Sequence, residues 1–436
     1  MWLHPWVHRI SRAAAGIYYR MSTAGPRVPR RGPALLVANH PNALLDPVLV
    51  AAAARRPVRF LAKAPLFAIP VVGAVVRAAG SIPVYRQQDD KSLTGRNADS
   101  LRAAQEELAA GSAIALFPEG ISHDAPALSP LKTGAARIAL GAAALAGVAV
   151  PVVPVGIVLR EKETFRSEAL VVVGDPVRWD DLAGRGADDV EAARELTARL
   201  DAAIRDVTVN LEHWSDRPIV ECAEAIWASK YGISRDGAER IERLRVATDL
   251  LYRIRRDPRS GYIGLIVAVT WHARSLRRLG LAPGDLEADL GNETALWWSL
   301  RRIPLFLAPA VAVGAAGWLL WWPPYRLTGL VADQVPGGKD VRSTWKLFGG
   351  LVIYLAWLAV LAWLAAGRGA GAVGAVLVGA PALGLAGLWI RERWREAWFD
   401  ARRFFLLRRR PYLLKDLRRR QHEIAERLDA LFVTPG

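Results

Sequence analysis

His40 is followed, after five intervening residues, by Asp46, on a turn directly after the apolar run Ala34-Leu35-Leu36-Val37. Imidazole titrates near neutral pH and can take a proton from an alcohol when a second group holds the ring in the productive tautomer. A carboxylate is such a group, so His40 and Asp46 are a candidate general base and its orienter. No serine or cysteine stands beside them in a recognisable nucleophile setting, and no Gly-x-Ser-x-Gly elbow occurs in the chain. The simplest chemistry for the pair is direct acyl transfer to an activated hydroxyl. Ser122-His123-Asp124 reads like a hydrolase triad written in a row, but triad side chains converge from separate segments. His4 and His8 have helical ligand spacing but no further ligands, so no metal site is expected.

Local chemistry suggests how the pair is held. Pro41 suits the first position of a helix, which predicts His40 at a helix cap with free N–H groups pointing outward. Pro47 disfavours helical geometry at Asp46. The two are therefore expected on a tight turn, since residues six apart diverge on a continuous helix. Further out, Ala34–Val37, Val58–Leu61, Ser112–Phe117, Val150–Val158 and Leu170–Val173 read as short buried strands, and Ile82-Pro83-Val84 is strand-like. Residues 100–109, 133–146 and 187–211 read as helices, which makes 30–215 an α/β domain with a sheet flanked by helices. Residues 64–76, broken by Pro65 and Pro70, read as a buried helix or a membrane-facing wall for an acyl chain. Residues 216–300 are expected to be a helical connector.

With 436 residues the chain has room for two or more folding units. One cysteine, Cys222, excludes an internal disulfide and a cysteine-built metal site. The net charge of +16 is uneven: residues 391–420 hold twelve basic and four acidic residues. That cluster follows apolar runs of membrane length, so it reads as a contact with anionic lipid rather than nucleic acid. The runs are residues 303–322, 347–366 and 369–390, with tryptophans near their ends. Only Gly367-Arg368 separates the second from the third, which fits a tight helical hairpin. The positive-inside tendency favours an even number of crossings, with 303–322 dipping in and returning near Pro304 and Pro309. At the start, Trp2, Trp6, Ile10, Ala13 and Ile17 recur at three- and four-residue intervals among basic residues, as in a helix lying on a membrane. The organisation read from this is an amphipathic surface helix (1–29), the α/β domain (30–215), the connector (216–300), a membrane region (301–392) and a basic helical tail (393–436).

Four blocks in this order resemble the glycerolipid acyltransferases: His40 to Asp46; Gly80 to Asp89; Phe117-Pro118-Glu119-Gly120 running on through Ser122-His123-Asp124 to Lys132-Thr133-Gly134; and Val150 to Gly156. The family commonly has four residues between the histidine and the aspartate. The five found here, with Ser122-His123-Asp124 and Phe165-Arg166-Ser167, are similar to the fungal-type dual-specificity glycerol-3-phosphate/dihydroxyacetone-phosphate branch. The resemblance covers about residues 30–180. It implies a mixed-sheet acyltransferase domain followed by helical and membrane regions, and a membrane-bound O-acyltransferase of phospholipid synthesis. His40 is implied as general base and Asp46 as its orienter. Arg86 is implied as the grip on the acceptor phosphate, with Lys132 and Lys63 as further cations, Glu119 orienting Arg86 or a hydroxyl, and Gly120 allowing close approach. Ser122, His123 and Asp124 are expected as further acceptor contacts. The donor would be an acyl thioester of coenzyme A or acyl carrier protein, the acceptor glycerol-3-phosphate, dihydroxyacetone phosphate or, as the alternative, lysophosphatidate. No cofactor is implied. The catalytic domain is expected on the cytoplasmic side of the cell membrane.

Overall fold

A computed structural model describes residues 3–69, 72–85, 97–233, 237–257, 263–335 and 339–432, in two compact units. The first comprises Met1–Trp214, Asp236–Thr248 and Gly337–Thr344; the second comprises Ser215–Arg235, Asp249–Pro336 and Trp345–Gly436.

The first unit runs α1 (Val7–Tyr18), β1 (Arg20–Ala24), β2 (Ala34–Ala38), α2 (Leu45–Ala54), β3 (Arg59–Lys63), α3 (Val72–Ala78), β4 (Ile82–Val84), α4 (Asn97–Ala109), β5 (Ala113–Leu116), α5 (Gly134–Ala146), β6 (Val152–Leu159), β7 (Glu168–Val173) and α6 (Val190–Asp206). The strands make one mixed sheet in the order β1-β7-β6-β2-β5-β3-β4, parallel throughout except for β6 against β7. β2 lies between β5 and β6 and is buried at every residue, which is why it reads as an unbroken apolar run rather than an alternating one. Leu35 and Val37 on one of its faces pack with Leu108 of α4, Ile138 of α5 and Leu196 and Leu200 of α6. α5 ends at Gly147, whose φ of 70° closes the helix in the left-handed region. Asp189 caps α6 by accepting from the Ala192 N–H at 2.9 Å.

Three expectations for this unit are corrected. Pro41 does not start a helix: α2 begins at Leu45, after a turn at Ala43 and Leu44. Asp46 is helical despite Pro47, because Pro47 falls in the first turn, where a backbone N–H has no intrahelical partner to lose. Residues 20–24 are not part of a surface helix. They form edge strand β1, paired in parallel with β7 from Arg20↔Glu168 to Ala24↔Val172. The apolar stretch 64–76 divides into a short 3-10 turn (Ala64–Ala68) and the start of α3, with Leu66 buried and Ile69 and Val75 exposed.

The second unit is helical. Its elements are α7 (Arg217–Lys230), the later part of α8 (Ala238–Arg256), α9 (Ile263–Leu279), α10 (Asn292–Phe306), α11 (Ala308–Gln334), most of α12 (Lys339–Ala366), α13 (Ala370–Arg409) and α14 (Pro411–Phe432). α13 and the Arg342–Ala366 part of α12 are long and apolar enough to cross a membrane. α10 and α11, bent by 58° at their junction, qualify only as a pair. The break at Leu307 sits between Pro304 and Pro309, so the expected disturbance of the first apolar run is a bend between two helices. α11 is the shared partner of the two runs that follow. The Trp357 indole donates to Leu320 O at 3.0 Å and Tyr354 stacks on Trp321, while Gly317 meets Gly387 of α13 so closely that a Cβ on either would lie 3.0 Å from the other's Cα. Small residues thus set the α11–α13 contact.

The basic tail is corrected too. α13 runs unbroken through residue 392, and α14 returns to pack Ile424, Ala425 and Leu428 against Cys222 and Ile226 of α7 and Leu265 and Val269 of α9. The segment is part of a core, not an appendage.

Candidate active site

β2, β5, β3 and β4 are adjacent and parallel, so their carboxyl ends share one edge of the sheet. His40 lies two residues beyond β2, Phe117–Gly120 directly follow β5, and Lys63 is the last residue of β3. β4 ends at Val84 on the same edge, two residues before Arg86, which lies outside the described residues. Ligands of open α/β sheets bind beyond this kind of edge.

The dyad forms. His40 Nδ1 is 2.8 Å from Asp46 Oδ2, and the ring stacks on Phe117 with centroids 4.1 Å apart and planes 13° from parallel. A proton shared at Nδ1 with a carboxylate leaves the Nε2 lone pair as the base. Asn39 anchors the segment to β6, donating to Ile157 O at 3.0 Å and accepting from Ile157 N at 2.7 Å. Between His40 and Asp46 the backbone turns at Ala43, whose φ of 43° is left-handed, and the Asn42 N–H donates to Asp46 Oδ2 at 2.6 Å. Asp46 is 0% exposed, and its buried Oδ1 has no hydrogen-bond partner among the described residues. Burial pushes its pKa up, against the opposing pull of His40, the Asn42 amide and the Lys162 charge.

Glu119 braces the histidine from the other side. It is buried; Oε1 accepts from the His40 N–H at 2.7 Å, Oε2 accepts from the Ser129 N–H at 2.8 Å, and Oε2 also pairs with His123 Nε2. Both oxygens are thus engaged with the loops around His40. His123 further contacts Ser129 Oγ at 2.9 Å, and its N–H donates to His40 O at 3.3 Å. Gly120 has a φ of 74°, and a Cβ there would lie 2.7 Å from Lys132 Nζ, so Lys132 lays its ammonium over this turn. The space above Gly120 is occupied by that lysine. Asp124 is bound to Lys162 at 2.7 Å, Ser122 is half-buried in the same loop, and Lys63 is exposed at its strand end. Among the described residues no cluster of side chains suits a metal ion.

Four neighbours were not singled out from sequence. Phe117 is the stacking floor of His40. Lys162, with only a tenth of its side chain exposed, donates to His123 O at 3.2 Å. Asn42 donates through Nδ2 to Tyr19 Oη at 2.8 Å, and the Tyr19 hydroxyl donates to Lys162 O. Burial raises the Tyr19 pKa, so the phenol stays a neutral donor. Phe165-Arg166-Ser167 could have pointed to Lys162 and Tyr19. The Arg166 guanidinium, in a left-handed residue, donates to the carbonyls of Gly16, Ile17 and Tyr19 and fastens the α1–β1 junction beside the site.

The acyltransferase family model matches residues 22–158, which include the histidine, the aspartate and the Phe117–Gly120 turn. This is an acyltransferase domain. Within it the chain is 31% identical over 134 residues to glycerol-3-phosphate O-acyltransferase 2 of Saccharomyces cerevisiae, covering 30% of this chain and 18% of the yeast protein. It is 32% identical over 123 residues to a chloroplastic 1-acyl-sn-glycerol-3-phosphate acyltransferase of Brassica napus, covering 28% and 32%. An uncharacterized acyltransferase of Schizosaccharomyces pombe is 24% identical over 424 residues, covering 74% of this chain and 62% of its own. The chain thus spans less than a fifth of the length of the first yeast relative. The match starts at residue 22 and so takes in most of β1, the strand that sequence patterning had left in the N-terminal helix.

Proposed function

We propose that this protein transfers a fatty acyl group from a thioester of coenzyme A or acyl carrier protein to a hydroxyl of glycerol-3-phosphate or dihydroxyacetone phosphate. The observation that carries the reading is the 2.8 Å contact between His40 Nδ1 and a buried Asp46 at the carboxyl edge of an acyltransferase sheet. In the step, His40 Nε2 takes the hydroxyl proton as the acceptor oxygen attacks the thioester carbonyl. The tetrahedral intermediate collapses, the C–S bond breaks, and the imidazolium returns its proton to the leaving thiolate. Asp46 keeps the ring oriented and balances its charge. Lys132 beside Gly120 and Lys63 at the end of β3 supply positive charge for the acceptor's phosphate, with Arg86, two residues after β4 in the sequence, as the further cation.

The five-residue gap and the likeness to the yeast protein favour a small acceptor. Likeness to the Brassica protein supports lysophosphatidate as the second reading. Helices long and apolar enough to cross a membrane support a membrane-bound enzyme, and the basic residues after 390 support a cytoplasmic side for the catalytic domain. The test assays purified protein with labelled glycerol-3-phosphate, dihydroxyacetone phosphate and lysophosphatidate, each with both donors. We expect a kcat/KM at least about tenfold higher for a small acceptor than for lysophosphatidate, because polar partners left unpaired discriminate strongly. The reverse ranking moves the enzyme to the second acylation.

A further inference from the structure

We propose that Ser343, at the start of α12, is a positioning residue for the His40–Asp46 pair, acting through Asn42. This rests on the reading of His40 as the base. The Ser343 hydroxyl donates to Asn42 Oδ1, and both residues are 0% exposed. The other end of the same amide is already committed, since Nδ2 donates to Tyr19 Oη at 2.8 Å and to Lys162 O at 3.4 Å. Ser343 therefore satisfies the acceptor end of a buried amide and fixes which way it points. The Asn42 main-chain N–H meets Asp46 Oδ2 at 2.6 Å, on the same oxygen that receives His40. The buried side chain, tied to Ser343, Tyr19 and Lys162, anchors residue 42, and a shift of its backbone would move the N–H that meets the carboxylate orienting the base. Thr344 adds a second hold, its Oγ1 accepting from the Leu44 N–H at 3.4 Å. The turn between them needs outside support, because Ala43 sits at a φ of 43°, where L side chains are strained. Sequence-local contacts alone would leave Asn42 and Asp46 to find this geometry without that support.

The experiment is a double-mutant cycle on the full-length protein in detergent, with His40→Ala as the reference for loss of the base. Ser343→Ala should lower kcat about 5- to 30-fold with KM for donor and acceptor unchanged within twofold, the pattern of a misaligned base rather than a damaged binding site. Asn42→Ala should lose at least as much. The double variant should fall no further than about twofold below Asn42→Ala, since both changes break one chain of contacts. Should Ser343→Ala fail to fold, Ser343→Cys, nearly isosteric and a poor donor, carries the same test. A kcat within twofold of the parent for the folded variant, or losses that multiply in the double variant, overturns the proposal while His40→Ala stays inactive. If His40→Ala itself keeps more than a tenth of the activity, it is the reading of the base that fails.

Discussion

At the scale of residues, the site combines a buried carboxylate that dislikes its charge with a histidine that needs it. Asp46 has its pKa raised by burial, so on acidification it takes up a proton at higher pH than an exposed aspartate would. Protonated, it no longer balances an imidazolium. Acyl transfer should therefore lose rate on acidification, as the base and the carboxylate that orients it take up protons, measurable as the acidic limb of kcat against pH. A limb as low as the usual carboxylate range would overturn the reading of a histidine base. The same shift has a consequence for stability. A carboxyl with a raised folded-state pKa binds its proton more tightly folded than unfolded, so at neutral pH its charge detracts from the fold. Asp46→Asn should accordingly leave the melting temperature unchanged or higher while reducing acyl transfer by roughly two to four orders of magnitude, as should His40→Ala. Thermal unfolding in detergent and initial rates on the same preparations check both halves. The pairing of His40 with Asp46 was legible in the sequence because the two side-chain types state their chemistry, whereas Glu119, expected to orient Arg86 or a hydroxyl, is engaged with His40, Ser129 and His123. Asn42, Tyr19, Lys162 and Ser343 were not legible: an amide, a phenol, an ammonium and a hydroxyl acquire roles only from partners 23, 120 and 301 residues away.

At the scale of elements, continuous apolar runs announced β2, β5 and β6, since strands buried on both faces have no polar alternation to lose. β1 was hidden for the opposite reason. Arg20-Met21-Ser22-Thr23-Ala24 is a half-exposed edge strand whose evidence is its pairing with β7. α2 was hidden by Pro47, a residue read as a breaker that is harmless in a first helical turn. Between α11 and α13 the close approach at Gly317 and Gly387 leaves room for no side chain at either position. A leucine at 387 has no room against α11. Gly387→Leu should destabilise the second unit by about 1–3 kcal/mol, typical of overpacking, seen as a lower melting temperature in detergent, and leave the His40 site chemically intact. An unchanged melting profile would mean the two helices separate at little cost.

At the scale of the molecule, α13 is 40 residues long, about 60 Å at 1.5 Å per residue, roughly twice the thickness of a bilayer's hydrocarbon core. Its second half carries Arg395, Trp398, Arg402, Phe405 and Arg409 on one exposed stripe at alternating three- and four-residue spacing. Because α14 completes a core with α7 and α9, cutting the chain at 393 would test folding rather than lipid contact. Replacing Arg395, Arg402 and Arg409 together by glutamine removes charge and keeps the helix. With about 1 kcal/mol per basic residue near an anionic surface, the triple variant should lose on the order of a hundredfold in preference for anionic over neutral vesicles. Retention of that preference in flotation assays would assign the stripe to another partner. Ser343 has a consequence in time as well as in space. Its partner Asn42 leaves the ribosome 301 residues earlier, which at 5–20 residues per second is about 15–60 s of synthesis. In that interval the acyltransferase sheet can fold, but its catalytic turn lacks its last support. By the time Ser343 emerges, α10 and α11 have already been made. If Ser343 positions Asn42 as proposed, the turn around His40 is completed only after these apolar helices have been synthesised.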